Sequence, residues 1–148
     1  MKKNFSIRSL LVRPEIATFI MFVAIMIGFY IANERFLDAR NIRIVMGITP
    51  EYMIVAIGIA ILMISGEFDL SVGSVFALVP MTMVQMVHQG IPPWFAIFLG
   101  LMIGMVIGYI NGFITLKFGI PSFIATLGML YIARSLTTVA TGGFPPPF

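Results

Sequence analysis

Residues 94–116 read WFAIFLGLMIGMVIGYINGFITL, a run without a single charge that lies between Pro92-Pro93 and Lys117. As a helix rising about 1.5 Å per residue it extends roughly 34 Å, enough to cross a hydrocarbon core about 30 Å thick. Trp94 and Lys117 bracket it, and these are residue types that sit at a membrane–water boundary. Gly100, Gly104, Gly108 and Gly112 recur every fourth residue, which predicts a nearly straight stripe where another helix backbone can approach closely. Asn111 lies beside that stripe. Facing it toward lipid is costly, so it is expected at a helix interface or a cavity, where interhelical hydrogen bonding and substrate binding are both open to it.

Other runs of the same kind flank this one. Ile16 to Ala32 is uninterrupted and apolar, and Lys2, Lys3, Arg8 and Arg13 precede it. The run is longer than a signal-peptide core, and Asn33-Glu34-Arg35 offers no small-residue cleavage site, so it reads as a retained first span. Its preceding cations place the N-terminus in the cytoplasm. Asn4-Phe5-Ser6 matches a glycosylation sequon, but on the cytoplasmic side of a span such a match carries no weight.

Between Ile44 and Ser65 the pattern is less regular, because Thr49, Pro50 and Glu51 interrupt it. Proline disfavours helical geometry in the residue before it and supplies no N–H to the preceding turn. A kinked span, a broken one, and an interfacial segment followed by a proline-initiated helix all fit. After Ser65 comes the polar, glycine-punctuated connection Gly66 to Ser74, followed by apolar residues to Val87 with Pro80 in their middle, and Asp69 or Ser71 is a suitable N-cap for that third helix. His88 to Pro93 reads as a turn. Phe123 to Val139 forms a last apolar helix that contains Arg134, and residues 141–148 read as loop. Arg134 can snorkel to the interface from this position, or face inward to bind substrate oxygens or an acidic partner.

The whole predicts an all-α polytopic transmembrane bundle in a single transmembrane domain over 1–148, with spans about 16–32, 44–65, 71–87, 94–116 and 123–139. Composition agrees: 59% of the 148 residues are hydrophobic and 10% are charged, and mean hydropathy is +1.05, far from the soluble average of about a quarter charged. The net charge of +3 comes from nine basic and six acidic residues scattered at helix ends, which gives no basic patch for nucleic acid.

Catalytic chemistry finds little support. With no cysteine and one histidine, His88, the chain has no disulfide framework, thiol nucleophile or Cys/His metal cluster. A Ser/His/Asp triad would have to use His88, which sits at a helix end beside Gln89-Gly90 and reads as solvated. No G-x-x-x-x-G-K-[ST] occurs, so ATP is not expected to bind this chain in the P-loop manner. Glu67 and Asp69, one residue apart, would diverge on a helix but can converge in a loop as a cation- or hydroxyl-binding pair. The plainer reading is a helix cap with a solvated neighbour.

Three blocks carry a family resemblance. Ser65-Gly66-Glu67-Phe68-Asp69-Leu70-Ser71-Val72-Gly73-Ser74, Gly108-Tyr109-Ile110-Asn111-Gly112 and Pro121-Ser122-Phe123-Ile124-Ala125-Thr126-Leu127-Gly128 resemble, in order and spacing, the membrane permeases of bacterial ABC importers for ribose, xylose and galactose. Arg134 and Gly142-Gly143 follow the third block. Glu67 and Phe68 depart from the common form, which has Gly and Ile there, and Ser135 stands where Gly is frequent. Members of that family are about twice as long, so this chain resembles their N-terminal half.

The resemblance implies a permease subunit forming part of a sugar translocation path in the cell membrane. It implies a second permease subunit, cytoplasmic ATP-binding subunits and an extracytoplasmic sugar-binding protein as partners, lipid as surroundings, no nucleic acid, no cofactor in this chain and no enzymatic activity. Asn111, Thr126 and Arg134 are the candidate substrate-path residues. Asp69, Ser71, Gly73, Gly108, Gly112, Pro121 and Gly128 are the motif positions expected to be structural. Two other readings are a truncated remnant that inserts without activity, and an ion-coupled carrier, for which Glu51 is the one weak intramembrane acid.

Overall fold

The computed structural model describes residues 14–143, and the description below is confined to them. The N-terminal cations Lys2 to Arg13, the sequon and the proline-rich end lie outside the described residues. Five α-helices follow one another, and no strand occurs among the described residues: α1 is Pro14–Ala32, α2 Ala39–Ile64, α3 Val72–His88, α4 Pro93–Phe118 and α5 Ser122–Ala140. Four of them, α1, α2, α4 and α5, are long and apolar enough to cross a membrane. The 17-residue α3 is shorter, extending about 26 Å.

The second helix resolves the irregular segment. It runs unbroken through Pro50 and begins at Ala39, ahead of the expected Ile44, so Arg40 and Arg43 lie on its opening turns. A break at Pro50 and a helix initiated there are therefore overturned. Flanking residues continue the helix around the missing N–H, and Thr49 Oγ1 donates to the Val45 carbonyl at 2.6 Å beside it.

The chain divides into two compact units at Ile54/Val55. In the first, α1 turns into α2 through Asn33 to Asp38. Asn33 Oδ1 accepts from the Arg35 N–H at 3.0 Å, Asn41 Nδ2 donates to the Phe36 carbonyl at 2.7 Å, and Phe29 stacks on Phe36. In the second unit α3 packs against both α4 and α5, which also touch each other. Leu78, Ala96, Met129 and Ala133 are its buried apolar centre. Gln85 Nε2 of α3 donates to the Ala140 carbonyl at the end of α5.

Most large apolar side chains point outward, with Ile64 at 86%, Leu116 at 84% and Trp94 at 71% exposure. A surface of that kind suits lipid, where helices associate through close packing and not through the hydrophobic effect. Lys117 sits 4.8 Å above the Phe113 ring at the end of α4, an arrangement suited to the interface.

Among the described residues the glycine stripe packs at one position only. A Cβ added to Gly100 would meet Met83 Sδ at 2.5 Å, whereas Gly104, Gly108 and Gly112 have nothing within 4 Å. Periodicity correctly placed these residues on one face. Helix α3 covers that face at Gly100 and leaves the remainder open to cavities among the described residues.

Candidate functional site

The site is built where the three sequence blocks meet. Helix α2 ends at Ile64 and the chain reverses at Gly66, whose φ of +83° is strained for any residue bearing a Cβ. The following segment, Glu67 to Ser71, leads into α3. Helix α4 ends on Gly119, a left-handed C-cap with φ of +66°, and Pro121 then opens α5. Pro121 contributes its carbonyl to the first turn, accepting from the Ile124 and Ala125 N–H groups at 2.9 and 3.2 Å.

Hydrogen bonds from α5 hold the signature segment. The Phe68 N–H donates to Ser122 Oγ at 3.0 Å, and the Leu70 N–H donates to Thr126 Oγ1 at 3.0 Å. The Thr126 hydroxyl itself donates to the Ser122 carbonyl at 2.8 Å. Thr126 is 3% exposed, so its hydroxyl is a buried anchor that satisfies a backbone group with no helical partner. Ser122 was not singled out by the sequence. Its spacing of four residues before Thr126, which puts both hydroxyls on one helical face, was the available signal.

On the other side, Asp69 Oδ1 accepts both the Ser71 N–H at 2.7 Å and the Ser71 hydroxyl at 2.6 Å. Asn111 Nδ2 of α4 donates to Ser71 Oγ at 3.1 Å. Ser71 occupies the N-cap position but makes no side-chain cap bond. Neither Asp69 nor Ser71 therefore caps the first turn of α3 as expected. The Ser71 hydroxyl is held between Asp69 and Asn111, and the carboxylate closes a local turn on the Ser71 N–H instead. Ser71 and Asn111 are buried, and Asn111 Oδ1 is a buried polar atom without a partner.

Two cavities flank this junction. One of about 370 Å³ is lined by Glu67, Asp69, Asn111, Ser122 and Thr126, with Phe68 and Leu116 on its apolar side. The other, about 380 Å³, is lined by Asp69, Ser71, Gly104 and Gly108 with valines of α3. Asp69 and Gly108 belong to both walls. Glu67 and Asp69 thus converge on one cavity, as a loop allows and a helix does not. Both volumes fall in the range of about 300–1,000 Å³ common for small-molecule sites.

Of the candidate path residues, Asn111 and Thr126 come together here and Arg134 does not. Arg134 lies on an exposed face of α5, about 12 Å along the helix from Thr126, with no side-chain partner among the described residues. Gly73 and Gly128 are exposed, and a Cβ added at either would meet nothing within 4 Å, so neither glycine is explained by close packing among the described residues. His88, exposed at the end of α3, stands apart from every serine and aspartate of the junction. No group of three or more His, Cys, Asp or Glu side chains that could hold a metal occurs among the described residues.

Residues 41–146 match the family described as the permease component of the branched-chain amino acid transport system. This span contains all three blocks of the junction. The chain belongs to that permease family. It is 32% identical over 143 residues to the xylose/arabinose import permease of Sulfolobus acidocaldarius, covering 92% of this chain and 40% of the relative. It is 36% identical over 132 residues to the ribose import permease of Bacillus subtilis, covering 89% of this chain and 40% of the relative. The ribose import permease of Haemophilus influenzae is 33% identical over 142 residues, at 96% and 43% coverage. The chain therefore spans about two fifths of the length of the curated relatives it matches. No solved structure matches. Family membership and the long apolar helices together make this permease-family chain a multi-pass membrane protein.

Proposed function

We propose that this permease-family chain forms part of the translocation path of an ATP-driven sugar importer, and that the junction of Asp69, Ser71, Asn111 and Thr126 lies on that path. The observation that carries the reading is the convergence of the three family blocks on one cavity whose wall mixes carboxylates, hydroxyls and an amide with apolar side chains. Polar groups in a membrane bundle face the interior or a cavity, and they mark substrate paths more often than lipid contacts. The relatives being xylose/arabinose and ribose import permeases makes a pentose the substrate to test first.

The chain makes and breaks no covalent bond in this reading. Hydrolysis takes place on partner ATP-binding subunits, and a binding protein on the outer face delivers the sugar. A second permease subunit completes the complex. The N-terminus lies in the cytoplasm, which puts the Gly66 and Gly119 turns on the cytoplasmic side together. The hydrogen bond from Phe68 to Ser122 supports that pairing of the two turns on one side.

Reconstitution tests the reading. Proteoliposomes containing this chain, the remaining permease segments, the ATP-binding subunits and the binding protein should take up labelled xylose, arabinose or ribose only when ATP and binding protein are both supplied. Uptake that needs neither would overturn it.

A further inference from the structure

We propose that the cavity in the turn between α1 and α2 holds the headgroup of a phosphatidylethanolamine lipid, with Arg35 and Arg40 on its phosphate and Asp38 on its ammonium. The site lies in the first compact unit and is independent of the sugar-path reading.

The cavity measures about 250 Å³, and its polar wall is made by Asn33, Arg35, Asp38, Arg40 and Asn41. The side chains of Arg35, Asp38 and Arg40 form no ion pair or hydrogen bond among the described residues. The backbone that presents them is held in place. The Phe36 N–H donates to the Asn33 carbonyl at 2.9 Å, and the Asp38 N–H donates to the Arg35 carbonyl at 3.1 Å. Asn33 Oδ1 accepts the Arg35 N–H, and Asn41 Nδ2 donates to the Phe36 carbonyl. Those two bonds leave Asn33 Nδ2 to donate and Asn41 Oδ1 to accept. Two cations, one anion and an amide group of each polarity therefore share one wall.

That mixture selects the ligand. A guanidinium fork matches phosphate oxygens and can bind them in pairs. Free phosphate, or the headgroup of phosphatidylglycerol, would satisfy the arginines but set a like charge beside Asp38. Phosphatidylcholine carries a positive group without any N–H to donate. Phosphoethanolamine joins a phosphate to a primary ammonium through a short carbon link, so it offers Arg35 and Arg40 an anion, and Asp38 and Asn41 Oδ1 an N–H donor, in one molecule.

The position of the cavity points to a lipid as the source. Helices α1 and α2 are each long and apolar enough to cross a membrane, and the cavity lies where one ends at Ala32 and the other begins at Ala39. Arginines at that level meet the boundary between hydrocarbon and water, where lipid phosphates lie. Phe36 and Ile44 complete the cavity wall, and Ile31, Leu37 and Val45 are exposed on the adjoining helix ends and turn. The glycerol and acyl chains of a lipid cover such an apolar margin, and a small soluble phosphate compound leaves it in water. The volume falls below the range of about 300–1,000 Å³ of drug-sized sites and fits a headgroup alone.

Native mass spectrometry of the purified full chain in detergent tests the proposal. Phosphatidylethanolamine, phosphatidylglycerol and phosphatidylcholine of identical acyl chains are titrated in turn. Phosphatidylethanolamine should be retained about tenfold more tightly than either of the others. Arg35→Ala and Arg40→Ala should each weaken its retention by about tenfold. Asp38→Asn should remove most of the preference over phosphatidylglycerol while leaving phosphatidylglycerol bound. Arg134→Ala, on α5, should change none of these values. Circular dichroism checks that each variant is folded; where an alanine variant is not, Arg35→Lys or Arg40→Lys keeps the charge, loses the fork and should weaken retention several-fold. Equal retention of the three lipids by the unchanged chain, or a preference that survives Asp38→Asn and the arginine variants, would overturn the proposal. Displacement of the lipid by soluble phosphoethanolamine or inorganic phosphate at equal concentration would overturn the lipid as the occupant.

Discussion

Asn111 of α4 donates through Nδ2 to Ser71 Oγ at the entrance of α3, a contact of 3.1 Å between residues 40 apart in sequence. It joins the second family block to the first, as the Leu70 and Thr126 pair joins the first to the third. The first contact is buried and the second part-buried, and Ser71, Asn111 and Thr126 are themselves buried, so removing one partner leaves the other poorly compensated.

Ser71→Ala should therefore destabilise the purified chain by about 1–3 kcal/mol, since it strands the Asn111 amide as well as one acceptor position on Asp69. Thermal unfolding in detergent reads this as a lowered midpoint. An unchanged midpoint would mean that the Asp69, Ser71 and Asn111 chain of bonds contributes nothing to the fold.

Thr126→Val keeps the shape of the side chain but removes the acceptor for the Leu70 N–H. A loss of about 1–2 kcal/mol is expected, and a smaller one for Ser122→Ala, whose partner Phe68 is more exposed. Amide exchange at Leu70 should accelerate in Thr126→Val. Equal protection in the two forms would show that the hydroxyl does not hold the signature segment.

The glycines of α4 separate packing from open space. Gly100→Ala drives a methyl group onto Met83 and should cost about 1–3 kcal/mol. Gly104→Ala meets nothing within 4 Å and should be neutral, or stabilising by up to about 1 kcal/mol through helix propensity. Equal destabilisation of the two purified variants would contradict the placement of α3 against α4. In a Met83→Ala background Gly100→Ala should cost much less than in the unchanged chain, a coupling that a double-mutant cycle measures.

Sidedness is accessible because the chain contains no cysteine. With the N-terminus in the cytoplasm, single cysteines at Asn33 and Gln89 should react with an impermeant maleimide added outside intact cells, and one at Lys117 should not. The reversed pattern would invert the proposed topology.

The part of this fold legible in the sequence is the part that lipid dictates. A spanning segment must satisfy its backbone internally and show apolar side chains outward, so Ile16 to Ala32 and Trp94 to Leu116 declare themselves as charge-free runs. Helix α2 was harder to bound, because Arg40 and Arg43 on its opening turns look like loop residues and Pro50 looks like a break. The glycine stripe shows the limit of periodicity: spacing tells which residues share a face, and only the partner helix decides that Gly100 alone is covered. The junction itself was legible as three motifs but not as one site. Side-chain contacts across 40 to 58 residues leave no local pattern, and the family resemblance pointed to Asn111 and Thr126 without indicating that Ser71 and Leu70 are their partners.

The central claim is that an energy source outside this chain drives sugar through the path it helps to form. Uptake of labelled pentose by the reconstituted complex, measured with and without ATP and with and without a protonophore, tests it most directly. Uptake should require ATP, survive collapse of the ion gradient and remain intact in Glu51→Gln. Uptake that proceeds without ATP, and is lost on collapsing the gradient or replacing Glu51, would contradict the account and identify an ion-coupled carrier.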